Sequence, residues 1–441
     1  MPRPLHLVHY GNVESSPFDN GETDNSAAGQ QRVLHDTVRI LEDAKFDAIF
    51  FADNNSFVSE HGWPYTVPID DEPFTIAASL GAVTSRLGLV VTTSTTFEPP
   101  ITIARQTLSL DHWTAGRAGL NIVTSSSDEA AGLYGIPLPD HATRYRKADE
   151  AVAIITGLWD GFEDDAPFTE RVNGVVNDVT KIHPIDYRGE FFSVNGLMGA
   201  RRSPQGRPVV FQAGSSEDGS QFAARHADVV FSGHRELPDA VAYAERIRKY
   251  AAESGRSIPP LILPGLIFVL GDTHDDAEQR LRTIKRNLPL GTRLSGMRAQ
   301  GLDLTAADLD APIPDLPTST ERNKTHFAGF LAAAAELPSD ATLRDLLETL
   351  SYRNIFVDYV GPPEGLVELM ISWQDAGAAD GFVLVAGGGM GGTFDQTKLF
   401  AERVVPLLQE RGAFRTDYEG TTLREHLGLA RPEHPATRPR P

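Results

Sequence analysis

Eight short apolar runs, separated by stretches with helical periodicity, constrain this chain more than any other feature. They fall at residues 5–10, 47–52, 87–93, 119–124, 208–213, 228–232, 261–270 and 381–385. Runs that are apolar on both alternating faces suit strands buried on both sides, as in a parallel sheet covered by helices. Amphipathic segments lie between them, at 33–44, 101–113, 142–159, 239–252, 275–287, 363–376 and 399–409. Strands and helices alternating in this way predict an α/β fold, a closed (β/α)8 TIM barrel rather than an open doubly wound sheet. The spacing is uneven. Residues 125–207 separate the fourth and fifth runs, and residues 271–380 separate the seventh and eighth, so long insertions are expected after strands 4 and 7. The second insertion holds a proline-punctuated stretch at 301–315 and is expected to act as a cover for the site, since long barrel loops commonly do so. A single barrel domain is expected over residues 1–429, with a frayed tail rich in Pro and Arg at 430–441.

Charge and composition narrow the function. A formal net charge of −20 disfavours nucleic acid or an anionic membrane surface as partner. It also requires any bound phosphate to be held by local N–H groups and hydroxyls. With no cysteine in the chain, disulfides, thiolate metal centres and cysteine nucleophiles are excluded. The start of the chain has no signal-peptide pattern and no run approaches membrane-spanning length, so a cytoplasmic protein is expected.

Functional groups of a barrel sit where strands end and the following loops begin. Those ends carry Asp53, then Ser94, Thr95 and Thr96, then Asn121 with Thr124 and Ser125, and then Gly214, Ser215 and Ser216. The set is polar but poor in acid–base catalysts, which suits an enzyme whose bound cofactor does the hard chemistry. The run 212–219, Gln-Ala-Gly-Ser-Ser-Glu-Asp-Gly, reads as a strand end, a tight turn and a helix start. Free backbone N–H groups and the helix dipole favour an anion there. The sequence alone leaves an ordinary αβ connection open as the alternative. His141 and Tyr145 follow the N-cap candidate Asp140 and lie at i and i+4 on one helical face, able to meet a planar ligand or its phosphate. His6 and His9 are three apart on a strand and point to opposite faces, so no metal site is expected from them. His9, nearer the strand end, is the candidate to reach the barrel mouth. Phe57 and Trp63 are expected to pack, and the glycine run 387–392, interrupted by Met390, reads as a flexible loop or a phosphate contact.

These residues, in this order, resemble the bacterial-luciferase superfamily of flavin-dependent monooxygenases. The resemblance is to the branch that contains nitrilotriacetate monooxygenase, dibenzothiophene-sulfone monooxygenase and pristinamycin synthase. It rests on residues 45–53, 94–100 with 104–105, 121–125, 141–145, 148–150, 203–206, 212–219, 303–314, 360–364, 380–382 and 418–424. The resemblance implies a barrel using reduced FMN, supplied by a separate NAD(P)H:flavin reductase, with dioxygen and a small organic substrate. Oxygenation would pass through a flavin C4a-(hydro)peroxide, with His9 and His141 as candidate proton donors. It places flavin contacts on Asp53, Ser94, Thr95, Asn121, His141, Tyr145, Ser215 and Ser216, and it implies a homodimer or homotetramer. A deazaflavin (F420)-dependent oxidoreductase and a flavin-binding protein without turnover are the alternatives. Two departures stand out. Gly119-Leu120 replaces the usual Gly-Trp, and residues 11–17 differ from the family's segment at the substrate mouth.

Overall fold

The computed structural model describes residues 4–11, 26–53, 72–170, 174–214, 216–287, 294, 304, 308–316, 331, 334–335, 337–350, 356–387 and 393–437. Its strands are β1 (His6–Tyr10), β2 (Ala48–Phe51), β3 (Gly88–Ser94), β4 (Ala118–Val123), β5 (Pro167–Glu170), β6 (Val175–Asn177), β7 (Ile185–Arg188), β8 (Ser193–Gly196), β9 (Val209–Ala213), β10 (Val229–Ser232), β11 (Leu261–Leu270), β12 (Val357–Gly361) and β13 (Gly381–Ala386). The helices are α1 (Ala27–Asp43), α2 (Pro73–Gly81), α3 (Pro100–Trp113), α4 (Asp128–Leu133), α5 (His141–Trp159), α6 (Glu217–His226), α7 (Leu237–Glu253), α8 (His274–Asn287), α9 (Leu343–Leu350), α10 (Pro363–Asp375), α11 (Thr393–Leu399), α12 (Val405–Glu410) and α13 (Leu423–His426).

Parallel pairing runs β1-β2-β3-β4-β9-β10-β11-β13 and returns from β13 to β1, closing a barrel of eight strands. All eight coincide with the apolar runs of the sequence. The reason is visible in their burial: every residue of β3 and of β13 is buried, so there is no polar face to alternate. A ninth strand, β12, adds in parallel to the C-terminal half of β11. The sequence did not reveal it as a strand, because its three central residues are only half-buried and include Asp358 and Tyr359.

The insertion after β4 holds α4, α5 and two antiparallel hairpins, β5–β6 and β7–β8. In the insertion after β11, Leu304 packs against Leu343, Leu346 and Leu347 of α9, with Leu309 and Ile313 alongside, and Pro312 bridges to Thr342. Much of this insertion, the expected cover, lies outside the described residues.

Strand alternation separates two apolar layers. Val8, Ala48, Phe50, Val90, Val209, Phe211, Val229, Phe231, Leu263 and Val383 fill the barrel interior. Their neighbours Leu7, Ile49, Phe51, Leu89, Val91, Leu120 and Ile122 pack outward against the helices. Leu423 and Leu427, in and just beyond α13, join the interior cluster. A Cβ on Gly88 would come within 2.5 Å of the Leu423 Cδ1. Gly88 opens β3, so α13 plugs the end of the barrel where the strands begin. Asp47, fully buried at that same end, accepts the Leu7 N–H at 2.8 Å and pairs with Arg415 and His6. Burial alone would raise its pKa, but Arg415 and then His6 hold its carboxyl below the usual range. Among the described residues no helix is long and apolar enough to cross a membrane.

Candidate functional site

Inside the barrel, aromatic rings form a floor. Phe50 contacts Tyr10, Phe211 and Phe231 with ring centroids 5.7–6.3 Å apart, and Phe231 stacks on Phe356 at 5.2 Å. Further toward the strand ends the lining turns polar. Asn121 and Thr92 stand opposite in the β3–β4 register, and the Asn121 Nδ2 donates to the Thr92 Oγ1 at 3.0 Å. The Asn121 Oδ1 is buried and has no partner among the described residues. A buried acceptor left unpaired costs about 1–3 kcal/mol, so this oxygen is open to a donor N–H. One turn higher, the Ser125 hydroxyl donates to the Ser94 Oγ at 2.9 Å.

The β9–α6 connection is the second component. Ser216 is the N-cap of α6, and its Oγ accepts the Gly219 N–H at 3.1 Å. Helix α5 is capped in the same way by Asp140, whose carboxylate accepts the Thr143 N–H at 2.9 Å. That cap aims the first turn of α5 at the first turn of α6. His141 and Tyr145 lie on one face, 5.0 Å apart by ring centroid, and Tyr145 meets Phe222 edge-on at 5.8 Å. The His141 Nδ1 is 3.0 Å from Asp218 Oδ2. The Asp218 carboxylate therefore accepts a hydrogen bond from the Nδ1–H and fixes the ring, so that His141 stands oriented beside the start of α6.

Two residues support this turn in ways the sequence reading did not assign. The Tyr243 hydroxyl, from α7, donates to the Gly214 carbonyl at 2.7 Å. Gln212 is buried, its Oε1 is unpaired among the described residues, and its amide lies against Gly214: a Cβ there would sit 2.6 Å from the Gln212 Nε2. Asp218 and Thr92 were likewise given no role of their own. Their role depends on contacts 77 and 29 residues away in the chain, which no local pattern records.

The remaining sequence candidates divide. Thr95 is fully buried, with its N–H and hydroxyl both on the Val123 carbonyl at 3.0 and 3.2 Å. The Lys147 ammonium donates to the neighbouring Thr96 carbonyl at 2.7 Å and ties α5 to this strand end. Asp53 lies half-buried just past β2. His9 is buried, but it shares the outward parity of Leu7, whereas Val8 and Tyr10 pack with the interior. The structure therefore does not point His9 into the barrel mouth, as the sequence reading expected. Ser215, Phe57, Trp63, residues 388–392 and residues 12–17 lie outside the described residues.

A family model described as luciferase-like monooxygenase matches residues 15–380. The chain belongs to this family. It is 38% identical to N-acetyl-S-(2-succino)cysteine monooxygenase of Bacillus subtilis (strain 168) over 398 residues, 89% of each chain. It is 37% identical to nitrilotriacetate monooxygenase component A of Aminobacter aminovorans over 373 residues, covering 83% of this chain and 81% of that one. Among solved structures, riboflavin lyase with modified FMN and riboflavin superposes with a TM-score of 0.83 at 30% identity, covering 97% of this chain and 96% of that one.

As a member of the luciferase-like family the chain is an oxidoreductase of the monooxygenase type, built on the expected barrel. One sequence departure also finds its place. Leu120, which stands where the resemblance expects tryptophan, packs in the outer layer with Leu89 and Val91, so the substitution removes no aromatic from the barrel interior.

Proposed function

We propose that this chain is the oxygenating component of a two-component monooxygenase that takes reduced FMN from a separate NAD(P)H:flavin reductase. The observation that carries the reading is that two complementary demands converge on the strand-end face of one barrel. The unpaired Asn121 Oδ1 suits an N–H of a planar ring. The Ser216-capped turn, with the Tyr145 hydroxyl and His141 beside it, suits a phosphate.

Reduced flavin, when bound, supplies the two electrons that activate dioxygen. The protein's own tasks are binding, orientation and exclusion of water. Asn121 and Thr92 hold the ring's polar edge, while Ser94 and Thr95 set the strand end beside it. Tyr145, Ser216 and the N-terminal amides of α6 hold the phosphate. His141, held through its Nδ1–H by Asp218, would donate a proton from Nε2 on the phosphate side only in its imidazolium form. For substrate we infer a small organic molecule oxidised at carbon next to nitrogen or sulfur, a reading supported by the two relatives named for a thioether and a tertiary amine.

The test is oxygen-18 incorporation. Chemically reduced FMN, labelled dioxygen and a panel of thioether and tertiary amine carboxylates are mixed with the protein. Label in an organic product supports the proposal. Hydrogen peroxide as the sole product across the panel, or binding of reduced deazaflavin in place of reduced FMN, overturns it.

A further inference from the structure

At the end of α5 remote from His141, a second cluster of donor atoms lies outside the strand-end site. Glu163, His183 and His434 bring a carboxylate oxygen and two imidazole nitrogens within 4.8 Å of one another. Three parts of the chain converge to do so. Glu163 and His183 flank an antiparallel bridge between Phe162 and Ile182. Backbone bonds fix that bridge on both sides, from Glu163 N–H to the Lys181 carbonyl at 3.0 Å and from His183 N–H to the Gly161 carbonyl at 2.8 Å. His434 comes from near the end of the chain. Arg202 donates to the Pro432 carbonyl at 2.7 Å and Arg431 pairs with Asp164 at 2.6 Å, which seats His434 in a buried position.

The hydrogen bonds prepare these groups for a cation. The His434 Nε2 lies 2.8 Å from the Asp160 carbonyl. A carbonyl only accepts, so Nε2 carries the proton and Nδ1 presents its lone pair. A backbone carbonyl behind an imidazole is the usual outer partner of a metal-bound histidine. Among the described residues that lone pair is engaged by the Ala436 N–H, at a long 3.2 Å. The His183 Nε2 is 2.8 Å from Glu163 Oε1, and the two imidazole rings are tilted by 32° with centroids 5.1 Å apart. Neighbouring carboxylates are committed elsewhere: Asp160 to Arg202 and Arg207, Asp164 to Arg202 and Arg431.

We propose that Glu163, His183 and His434 form a structural site for a divalent transition-metal ion, zinc above all. Two imidazoles and one carboxylate are a known zinc ligand set, with bonds of about 2.0–2.2 Å and a water completing the tetrahedron. Two ligands on such an ion stand roughly 3.3 Å apart. The His183–Glu163 pair therefore opens by about half an ångström, and His434 moves inward, releasing Ala436. The ion takes the place of the proton shared between His183 and Glu163, so affinity falls as pH falls. The His183 side chain is 37% exposed, which provides the entry path and the water position. Its effect is to clip the chain end to the insertion after β4. Helix α5 separates His141 from this end by roughly 27 Å, so the ion stabilises without touching the flavin site.

The test uses the full chain stripped with a chelator, dialysed, and titrated with zinc chloride at neutral pH by calorimetry, with thermal unfolding recorded alongside. One ion per chain and a Tm raised by several degrees are expected. Separate His183→Gln and Glu163→Gln variants, each close in size to the residue it replaces, should fold with unchanged circular dichroism and bind zinc at least about tenfold more weakly. Cobalt chloride should give visible tetrahedral absorption bands in the parent chain that both variants lose. Absence of saturable binding in the parent, or zinc affinity and Tm shift unchanged in both variants, overturns the proposal.

Discussion

The Tyr145 hydroxyl stands 2.8 Å from the point where a Cβ on Gly219 would be. The Ser216 Oγ is 3.0 Å from the same point. Helices α5 and α6 thus meet at a contact that admits no side chain, and the phosphate face of the proposed site is built across it. Gly219→Ala must displace the Tyr145 ring or the Ser216 cap. It should leave the fold intact and weaken FMN binding at least about tenfold, a loss of roughly 1.4 kcal/mol. Flavin titration with far-UV circular dichroism as the control measures this; unaltered affinity would show that the contact has no bearing on the ligand.

Tyr243→Phe removes the hydrogen bond that fixes the Gly214 carbonyl. A net cost of about 1 kcal/mol in stability is expected. Because the lost bond supports the turn rather than the barrel interior, affinity for FMN should fall while affinity for riboflavin stays the same. Equal losses for both ligands would place the turn away from the phosphate.

Asn121→Leu exchanges a buried amide with an unpaired oxygen for an apolar side chain. The ligand-free protein should be as stable as the parent or more so, since a penalty of about 1–3 kcal/mol is removed. Flavin binding and oxygen incorporation should both be lost. Urea denaturation without ligand, set against flavin titration, separates the two effects, and a variant that is destabilised yet still binds flavin would assign Asn121 a purely structural role.

Two buried groups give stability opposite pH slopes. Burial pushes the Asp111 carboxyl up to about 6, despite bonds from Ser203, Gln205 and Ala118. Its unfolded value is about 3.9, so the folded chain keeps a proton that the unfolded chain releases, and stability falls as pH rises from about 4 to 6. Burial pushes the His426 imidazole down to about 4, against about 6.5 unfolded. There the unfolded chain holds the extra proton, and stability rises over nearly the same window. Each group contributes about 3 kcal/mol, so the parent should show a shallow net slope. Asp111→Asn should expose a steep loss toward acid, and His426→Phe a gain in the same direction. Urea midpoints at pH 4.5 and 7.5 check both, and slopes identical to the parent's in the two variants would refute the assignment.

The barrel was legible because its strands are buried on both faces, which leaves long apolar runs that no exposed strand mimics. The hairpin strands β6, β7 and β8 left no such trace, since their side chains are partly solvent-facing. In the site, residues on helix starts could be read locally: Asp140, His141 and Tyr145 carry cap and i,i+4 signals. Strand parity was harder. His9 was judged by its nearness to the strand end, while its direction depends on Val8 and Tyr10 facing inward. Tyr243 looked like an ordinary core position and Gln212 like a plain strand end, because what distinguishes them is the Gly214 turn they touch.

Leu423 and Leu427 complete an interior whose other walls come from residues 8 to 383. During synthesis the ribosome releases every barrel strand before it releases this plug. A nascent chain that has already made β13 still lacks the floor of its own core, and Val8, Ala48 and Val90 remain open to solvent or to other chains. The seating of this four-residue helix is thus a late step, and damage to that short segment should be felt first as aggregation of newly made protein.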